Sequence, residues 1–76
     1  MSTVEIWKRD RSGNNDSKLG DGQGDKNNDT VTIQAWGERA GVANGTRYNL
    51  KVDKKWYSGT AQVPAPAGVA HFTGVE

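Results

Sequence analysis

The sequence predicts a single small all-β domain of about five short antiparallel strands, arranged as a compact sandwich or a small barrel. Its 76 residues leave room for one core. Several segments alternate apolar and polar residues with a period of two, which is the period of a half-buried strand. Gly, Asn, Asp and Pro separate these segments, and no segment shows a convincing helical period. The pattern does not distinguish the sandwich from the barrel.

The first predicted strand covers residues 3–8, where Val4 and Ile6 share one face and Trp7 lies on the other. A long polar loop is predicted to follow, at about residues 10–29. Leu19 is its one large apolar side chain, and the rest is rich in turn-forming Gly, Asn and Asp. We expect this loop to be mobile unless a ligand or a partner subunit orders it, because it has little to bury.

The second predicted strand covers residues 30–36 and is rich in β-branched side chains. Strict alternation places Val31, Ile33 and Ala35 on its inner face. The same alternation leaves Trp36 on the polar face, where a large aromatic ring requires an explanation.

The pair Asn44-Gly45 predicts a hairpin turn of type I′, because both residues accept a positive φ. A third strand follows over residues 46–52, and a polar turn over residues 53–55 ends it. The inward residues of this strand are predicted to be Tyr48, Leu50 and Val52.

The fourth and fifth strands are predicted over residues 56–63 and 69–73. Trp56 and Tyr57 are adjacent at the start of the fourth strand, so the sequence leaves open which of them points inward. Pro64 and Pro66 end this strand, because proline cannot donate a hydrogen bond to a sheet.

Composition excludes several classes of function. The net charge of +1 does not provide the broad basic field of a non-specific nucleic-acid binder, so nucleic acid is not an expected partner. With 0 Cys, neither a disulfide framework nor a thiolate metal site is available. No apolar run approaches the length of a membrane span or a signal-peptide core. We therefore expect a soluble protein without a membrane partner and assign it no compartment.

The sequence offers no set of catalytic residues, and we expect that the protein is not an enzyme. His71 is the single histidine, and no serine lies in a Gly-x-Ser-x-Gly context. The favoured interpretation of His71 is a partly buried strand residue that bonds to a neighbour.

A calcium site is a second interpretation of the acidic segment. Asp25, Asn27 and Asp29 match the first, third and fifth ligand positions of an EF-hand loop. The match fails at the sixth position, where Thr30 replaces Gly, and at the twelfth, where Trp36 replaces Glu. A solvated turn is the simpler explanation, so no cofactor is expected and Ca²⁺ is the alternative.

The aromatic residues are the most informative feature. Trp7 and Trp36 both fall on faces that alternation marks as polar. An indole offers a broad apolar face and an N–H donor, which suits stacking on a sugar with hydroxyl groups at its edge. Arg47 and Asn49, on the outward face of the third strand, would bond those hydroxyls. The alternative is that the rings pack a second core layer or a subunit interface.

From residue 31 to residue 73 the chain resembles one blade of the fucose-binding propeller lectins of fungi and bacteria. The resemblance consists of the strand at 31–36, the Asn44-Gly45 turn before a strand that ends in Asp53, and Lys55-Trp56-Tyr57-Ser58-Gly59. It implies carbohydrate binding, because Trp56 matches a tryptophan that contacts sugar in that family. Thr32 and Asn49 stand where the family has the Arg and Glu that grip fucose. The two charged side chains that bind fucose in that family are therefore absent from this chain.

We predict a lectin-like, carbohydrate-binding module that forms a homo-oligomer, because a core this small gains stability from association and weak sugar sites gain avidity. The alternative is a structural or protein-interaction module whose tryptophans form subunit contacts. The predicted sugar-binding residues are Trp36, Trp56, Tyr57, Asn49, Arg47 and Asp53.

Overall fold

Six antiparallel strands close into a barrel in the computed structural model, which describes residues 1–38, 41–65 and 68–76. The strands are β1 (Ser2–Arg9), β2 (Asn15–Asn27), β3 (Thr30–Glu38), β4 (Arg47–Val52), β5 (Lys55–Gln62) and β6 (Ala70–Thr73). Their order around the barrel is β1-β2-β3-β6-β5-β4, and β4 closes on β1. The predicted all-β class is confirmed, and of the two predicted architectures the chain adopts the small barrel.

The barrel consists of two three-stranded meanders that meet along two seams. Strands β1, β2 and β3 form the first meander, and β4, β5 and β6 form the second. One seam pairs β1 with β4, where Val4 lies opposite Val52. The other pairs β3 with β6, where Val31 lies opposite Phe72. Closure leaves the small core enclosed by paired backbone on all sides.

The interior is filled by apolar side chains from the inward positions of the strands and by Val75, which follows β6. The predicted inward faces of β1 and β4 are confirmed, because alternate residues there are buried and their neighbours are not. Phe72 and Tyr48 meet edge to face, with ring centroids 6.4 Å apart. The buried core comprises Val4, Ile6, Val31, Ile33, Tyr48, Leu50, Val52, Ala61, Ala70, Phe72 and Val75.

The predicted loop at 10–29 is wrong, because 13 of its residues form β2, which brings the strand count to six. The inward positions of this strand include Gly22 and Gly24, which are buried. A Cβ on Gly22 would lie 2.6 Å from the carbonyl oxygen of Ala35, and one on Gly24 would lie 2.8 Å from the Cα of Ile33. The β2 backbone therefore lies directly against β3, and the strand has no apolar alternation to reveal it.

The predicted orientations of Ala35 and Trp36 are also wrong. In the ladder between β2 and β3, Gln23 pairs with Ala35 while the next residue pairs with Ile33, so Gln34 is an extra residue in β3. Such a bulge shifts the side-chain alternation by one position. Ala35 is exposed, and Trp36 packs against the core.

Tight turns place the remaining strands. Asp53 and Lys54, with φ of 48° and 71°, form the two-residue turn between β4 and β5, which has the positive φ values of type I′. The chain also turns at Asn44-Gly45, but there Gly45 alone of the pair has a positive φ. The predicted type I′ turn at Asn44-Gly45 is therefore wrong.

Strand β5 ends at Gln62, just before Pro64, as the sequence predicts, while Pro66 lies outside the described residues. The described residues contain no helix long and apolar enough to cross a membrane.

Candidate functional site

The outer surface of β1, β4 and β5 carries a pair of tryptophans. Trp7 on β1 lies opposite Asn49 on β4, and Trp56 on β5 lies opposite Lys51 on β4. The two indole rings meet edge to face, with centroids 6.0 Å apart and planes inclined at 68°. The open question about β5 is thereby answered, because Trp56 points outward and Tyr57 packs against the core.

Polar and charged groups fix this pair while leaving part of Trp56 open. Trp7 Nε1 donates a hydrogen bond to Glu5 Oε1 at 3.0 Å. The Lys51 ammonium lies 5.6 Å from the centroid of the Trp56 ring, within the range of a cation–π contact. The Trp56 side chain is still 47% exposed. An exposed indole supported by its neighbours is a suitable surface for stacking a flat apolar group.

The tip of the hairpin that joins β1 and β2 has a defined conformation. Asp10 Oδ1 accepts hydrogen bonds from the backbone N–H groups of Ser12 and Asn14, both at 2.9 Å. Gly13 has φ of +83°, a value that L side chains rarely adopt. This tip, residues 10–14, is an Asx-type turn closed by its own side chain.

Asn49 fastens the hairpin tip to the barrel. Its Nδ2 donates to the carbonyl oxygen of Gly13 at 3.0 Å and to Oδ1 of Asn15 at 2.8 Å. The tip therefore lies over the outer face of β4, beside Trp56. Nothing in the local sequence of β4 indicates this contact, which joins residues 34 and 36 positions apart.

An open cleft of about 270 Å³, which we call the asparagine cleft, lies between the hairpin tip and Trp56. One wall is an aromatic ring, and the rest consists of backbone and primary amides. Among the described residues, no charged side chain lines it. The lining residues are Gly13, Asn14, Asn15, Asn49 and Trp56.

A second open cleft of about 230 Å³ lies on the same outer surface and carries charges of both signs. Lys51 lines this charged cleft and also lies over Trp56, so it stands between the two clefts. The lining residues are Thr3, Glu5, Lys51, Asp53 and Lys54.

The structure brings together some of the predicted sugar-binding residues. Trp56 and Asn49 line the asparagine cleft, and Asp53 lines the charged cleft. Trp36 and Tyr57 instead pack against the core, so neither ring extends the outer surface around Trp56.

Arg47 has partners at the end of the chain rather than in either cleft. Its Nη2 donates to Ser58 Oγ at 2.7 Å and to the carbonyl oxygen of Gly74 at 3.2 Å, and it lies 3.7 Å from Glu76 Oε1. Its Nη1 donates to Thr60 Oγ1 at 3.1 Å. The guanidinium therefore ties β5 to the segment after β6.

The acidic residues considered as calcium ligands lie on β2 and in the turn that follows it. Asp25 Oδ1 is 3.5 Å from the N-terminal ammonium of Met1. Within the described parts of the chain, no group of three or more His, Cys, Asp or Glu residues is placed to hold a metal ion. Because Asn27 is not among those residue types, calcium binding stays a prediction.

His71 lies on β6, where its Nδ1 is 2.8 Å from Thr32 Oγ1 on β3. It is part-buried and bonded to a neighbour, as expected of a strand histidine. Neither cleft includes it.

Sequence reasoning missed three residues of the asparagine cleft, Gly13, Asn14 and Asn15. Of the residues that line the charged cleft it predicted Asp53 alone. The three missed residues of the asparagine cleft lie in the segment expected to be a mobile loop. One signal was present, because Asp10 followed by Ser12-Gly13 is typical of a turn closed by an Asp side chain.

Comparisons with protein-family models, with curated proteins and with solved structures found no match to this chain.

Proposed function

We propose that the protein is a carbohydrate-binding module and that the asparagine cleft is its sugar site. The observation that carries this proposal is the combination, in one cleft, of an exposed tryptophan and three asparagine side chains. Sugar rings are apolar on one face and hydroxylated at the edge, so they need an aromatic surface beside neutral hydrogen-bonding groups.

The hydrogen bonds inside the cleft decide what each amide offers a ligand. Asn49 Nδ2 is committed to the hairpin tip, so its Oδ1 serves as an acceptor. Asn15 Oδ1 receives a bond from Asn49, so its Nδ2 serves as a donor. The Asn14 side chain offers both kinds of group. Adjacent donors and acceptors match vicinal hydroxyls, each of which donates and accepts.

The site is open, and we expect a single copy to bind weakly, because a shallow surface buries little of its ligand. Several copies on one assembly would gain avidity. Trp56 is also the residue that matches a sugar-contacting tryptophan in the lectins that the chain resembles, which supports its assignment as the stacking ring.

The proposal is tested with a glycan array followed by titration, using intrinsic tryptophan fluorescence and calorimetry on the wild type and two variants. We expect Trp56→Ala to abolish binding with a small loss of melting temperature, because a half-exposed ring surrenders little buried area. Trp36→Ala is the matched control. It should lower the melting temperature more, because that ring packs on the core, while the folded fraction still binds.

The alternative function, a protein-interaction module, predicts a different result for the same variants. If the Trp7–Trp56 pair forms a subunit contact, Trp56→Ala should reduce the mass of the oligomer in sedimentation experiments. A folded wild type that binds no glycan, together with dissociation of Trp56→Ala, would replace the carbohydrate proposal with the interaction module.

A further inference from the structure

The turn before β4 contains Asn44, which is the one asparagine of the chain that is followed by glycine. This pairing is the most reactive context for deamidation, because a glycine without a Cβ leaves the attacking backbone nitrogen unhindered. Asn44 and Gly45 are both exposed, and among the described residues a Cβ on Gly45 would meet open space. Water therefore reaches the pair, and the hydrogen bonds of the reacting atoms determine how fast it reacts.

Deamidation is a reaction of this pair with water alone. The Gly45 backbone nitrogen loses its proton and attacks Asn44 Cγ, which closes a five-membered succinimide ring. The Cγ–Nδ2 bond breaks, and ammonia leaves with the proton that the backbone nitrogen lost. Water then opens the ring at one of its two carbonyls. Opening at Cγ gives aspartate with the ordinary backbone, and opening at the main-chain carbonyl gives isoaspartate, whose backbone runs through the side chain.

The fold engages both reacting groups. The Gly45 N–H donates a hydrogen bond to the carbonyl oxygen of Ala61 at 2.8 Å. The Asn44 side chain is held at its Oδ1, which accepts a hydrogen bond from the backbone N–H of Val63 at 3.0 Å. Attack requires the first bond to break, because the nitrogen must lose the proton that it donates to Ala61. It also requires Cγ to turn toward that nitrogen, whereas the bond from Val63 holds the amide against the end of β5.

Two further hydrogen bonds hold the turn in place. Thr46 N donates to the carbonyl oxygen of Ala43 at 3.2 Å, which closes the turn on itself. Ala61 N donates to the carbonyl oxygen of Thr46 at 2.9 Å, so Ala61 both donates to the turn and accepts from it. The reacting pair is therefore released only when the turn separates from β5.

We propose that Asn44 is a deamidation site controlled by the fold, which keeps its amide while the turn is bonded to β5 and loses it when the turn opens. This inference is independent of the proposed carbohydrate function, because none of the described residues that line either cleft belongs to the turn. Isoaspartate adds a carbon to the backbone at this position, so the bonds of Gly45 and Thr46 to Ala61 cannot both form again. Formation of isoaspartate therefore makes opening irreversible.

The test compares the deamidation rate of the folded wild type with that of the same protein unfolded in urea. Peptide mapping by mass spectrometry measures aspartate and isoaspartate at position 44 over time, and a peptide of residues 41–48 corrects for any effect of urea on the chemistry. We expect the folded protein to react at least about tenfold more slowly, because an opening free energy of 1.4 kcal/mol lowers the open fraction tenfold. Equal corrected rates, or a faster reaction in the folded protein, would overturn the proposal.

A pair of variants changes the opening and leaves the reacting residues intact. Ala61→Gly removes a buried methyl group and adds backbone freedom at the residue that holds the turn. It should raise the deamidation rate of the folded protein about fivefold or more. Ala35→Gly makes the same change at an exposed position on β3 and should raise the rate less. An equal rise in both variants, or an unchanged rate in a destabilised Ala61→Gly, would overturn control by the bonds to β5. If Ala61→Gly does not fold, the comparison of folded and unfolded wild type decides.

The two products are distinguished by refolding. Asn44→Asp should melt close to the wild-type temperature, because its carboxylate still accepts a hydrogen bond from Val63 N. The isoaspartate form, separated by chromatography after incubation in urea, should not recover the native circular dichroism spectrum when the urea is diluted. Recovery of a wild-type melting temperature by the isoaspartate form would overturn the irreversible step.

Discussion

Single residues in this barrel are constrained by how closely backbone and side chains approach one another. Gly24 leaves β2 room to lie against the backbone of β3, and Gly59 lies where a Cβ would be 2.9 Å from Val75 Cγ2. A closed six-stranded barrel has little interior volume, so large side chains on some strands require small ones on others.

We therefore expect Gly24→Ala to destabilise the fold by about 1 to 3 kcal/mol or more, because its methyl group would meet backbone that cannot move aside. Gly41→Ala is the control, since nothing described lies within 4 Å of the added Cβ. Urea unfolding curves measure both. Equal urea midpoints for Gly24→Ala and Gly41→Ala would contradict the close approach of the β2 backbone to β3.

Truncation of buried core side chains should also lower the free energy of unfolding. Ile33→Ala and Leu50→Ala should each lower the free energy of unfolding by about 2 to 5 kcal/mol, because both side chains are fully buried in a core with few substitutes. Lys8→Ala, at an exposed position near the end of β1, should have little effect. Thermal and urea unfolding of the three variants provide the comparison.

At the scale of elements, the β1–β2 hairpin decides the shape of the candidate site. Its tip is closed internally by Asp10 and fastened to β4 by Asn49. The site therefore depends on a side chain that belongs to neither strand of the hairpin.

Asn49→Asp should release the hairpin tip, because a carboxylate cannot donate to Gly13 O or Asn15 Oδ1. We expect a loss of about 1 kcal/mol in stability and faster amide exchange at Asn14, together with weaker glycan binding. Asn27→Asp makes the same chemical change at an exposed position on β2 and should leave exchange at Asn14 unaltered. Exchange measured by NMR distinguishes the two.

The elements also show why the sequence predicts part of this architecture and not the rest. Alternation is clear in β1 and β4, where inward positions hold Val, Ile, Leu and Tyr. It is missing from β2, because backbone packing there demands glycine, and it is broken in β3 by the bulge at Gln34. The orientation of Trp36 depends on that bulge, which single-strand periodicity does not contain.

The candidate site, like the fold, was predicted from the sequence only in part. Asn49 was predicted from its residue type and its outward position on the strand, and Trp56 from the resemblance to the fucose-binding lectins. The hairpin-tip residues of the cleft reach Asn49 through contacts 34 and 36 positions apart in sequence. Because these contacts form only when the barrel closes, no short-range sequence pattern indicates them.

For the whole molecule, closure makes the two meanders interdependent. The seams join residues far apart in sequence, as in the pairs Val4–Val52 and Val31–Phe72. Each meander alone would expose to water the apolar face that fills the barrel, so each requires the other to bury it.

We therefore expect cooperative two-state unfolding. Denaturation followed by tryptophan fluorescence and by far-ultraviolet circular dichroism should give coincident curves, and amides along both seams should exchange with the same free energy of opening. Separate transitions, or a seam that opens well before the other, would show that one meander is stable alone.

The β1–β4 seam also divides the candidate site. The first meander supplies Gly13, Asn14 and Asn15, and the second supplies Asn49 and Trp56. A chain cut between β3 and β4 would thus carry half of the recognition surface on each fragment. If the asparagine cleft binds sugar as proposed, neither fragment would hold the ligand until the two had reassembled, and ligand would in turn favour reassembly. Ligand capture by a mixture of the two fragments would then report fragment complementation.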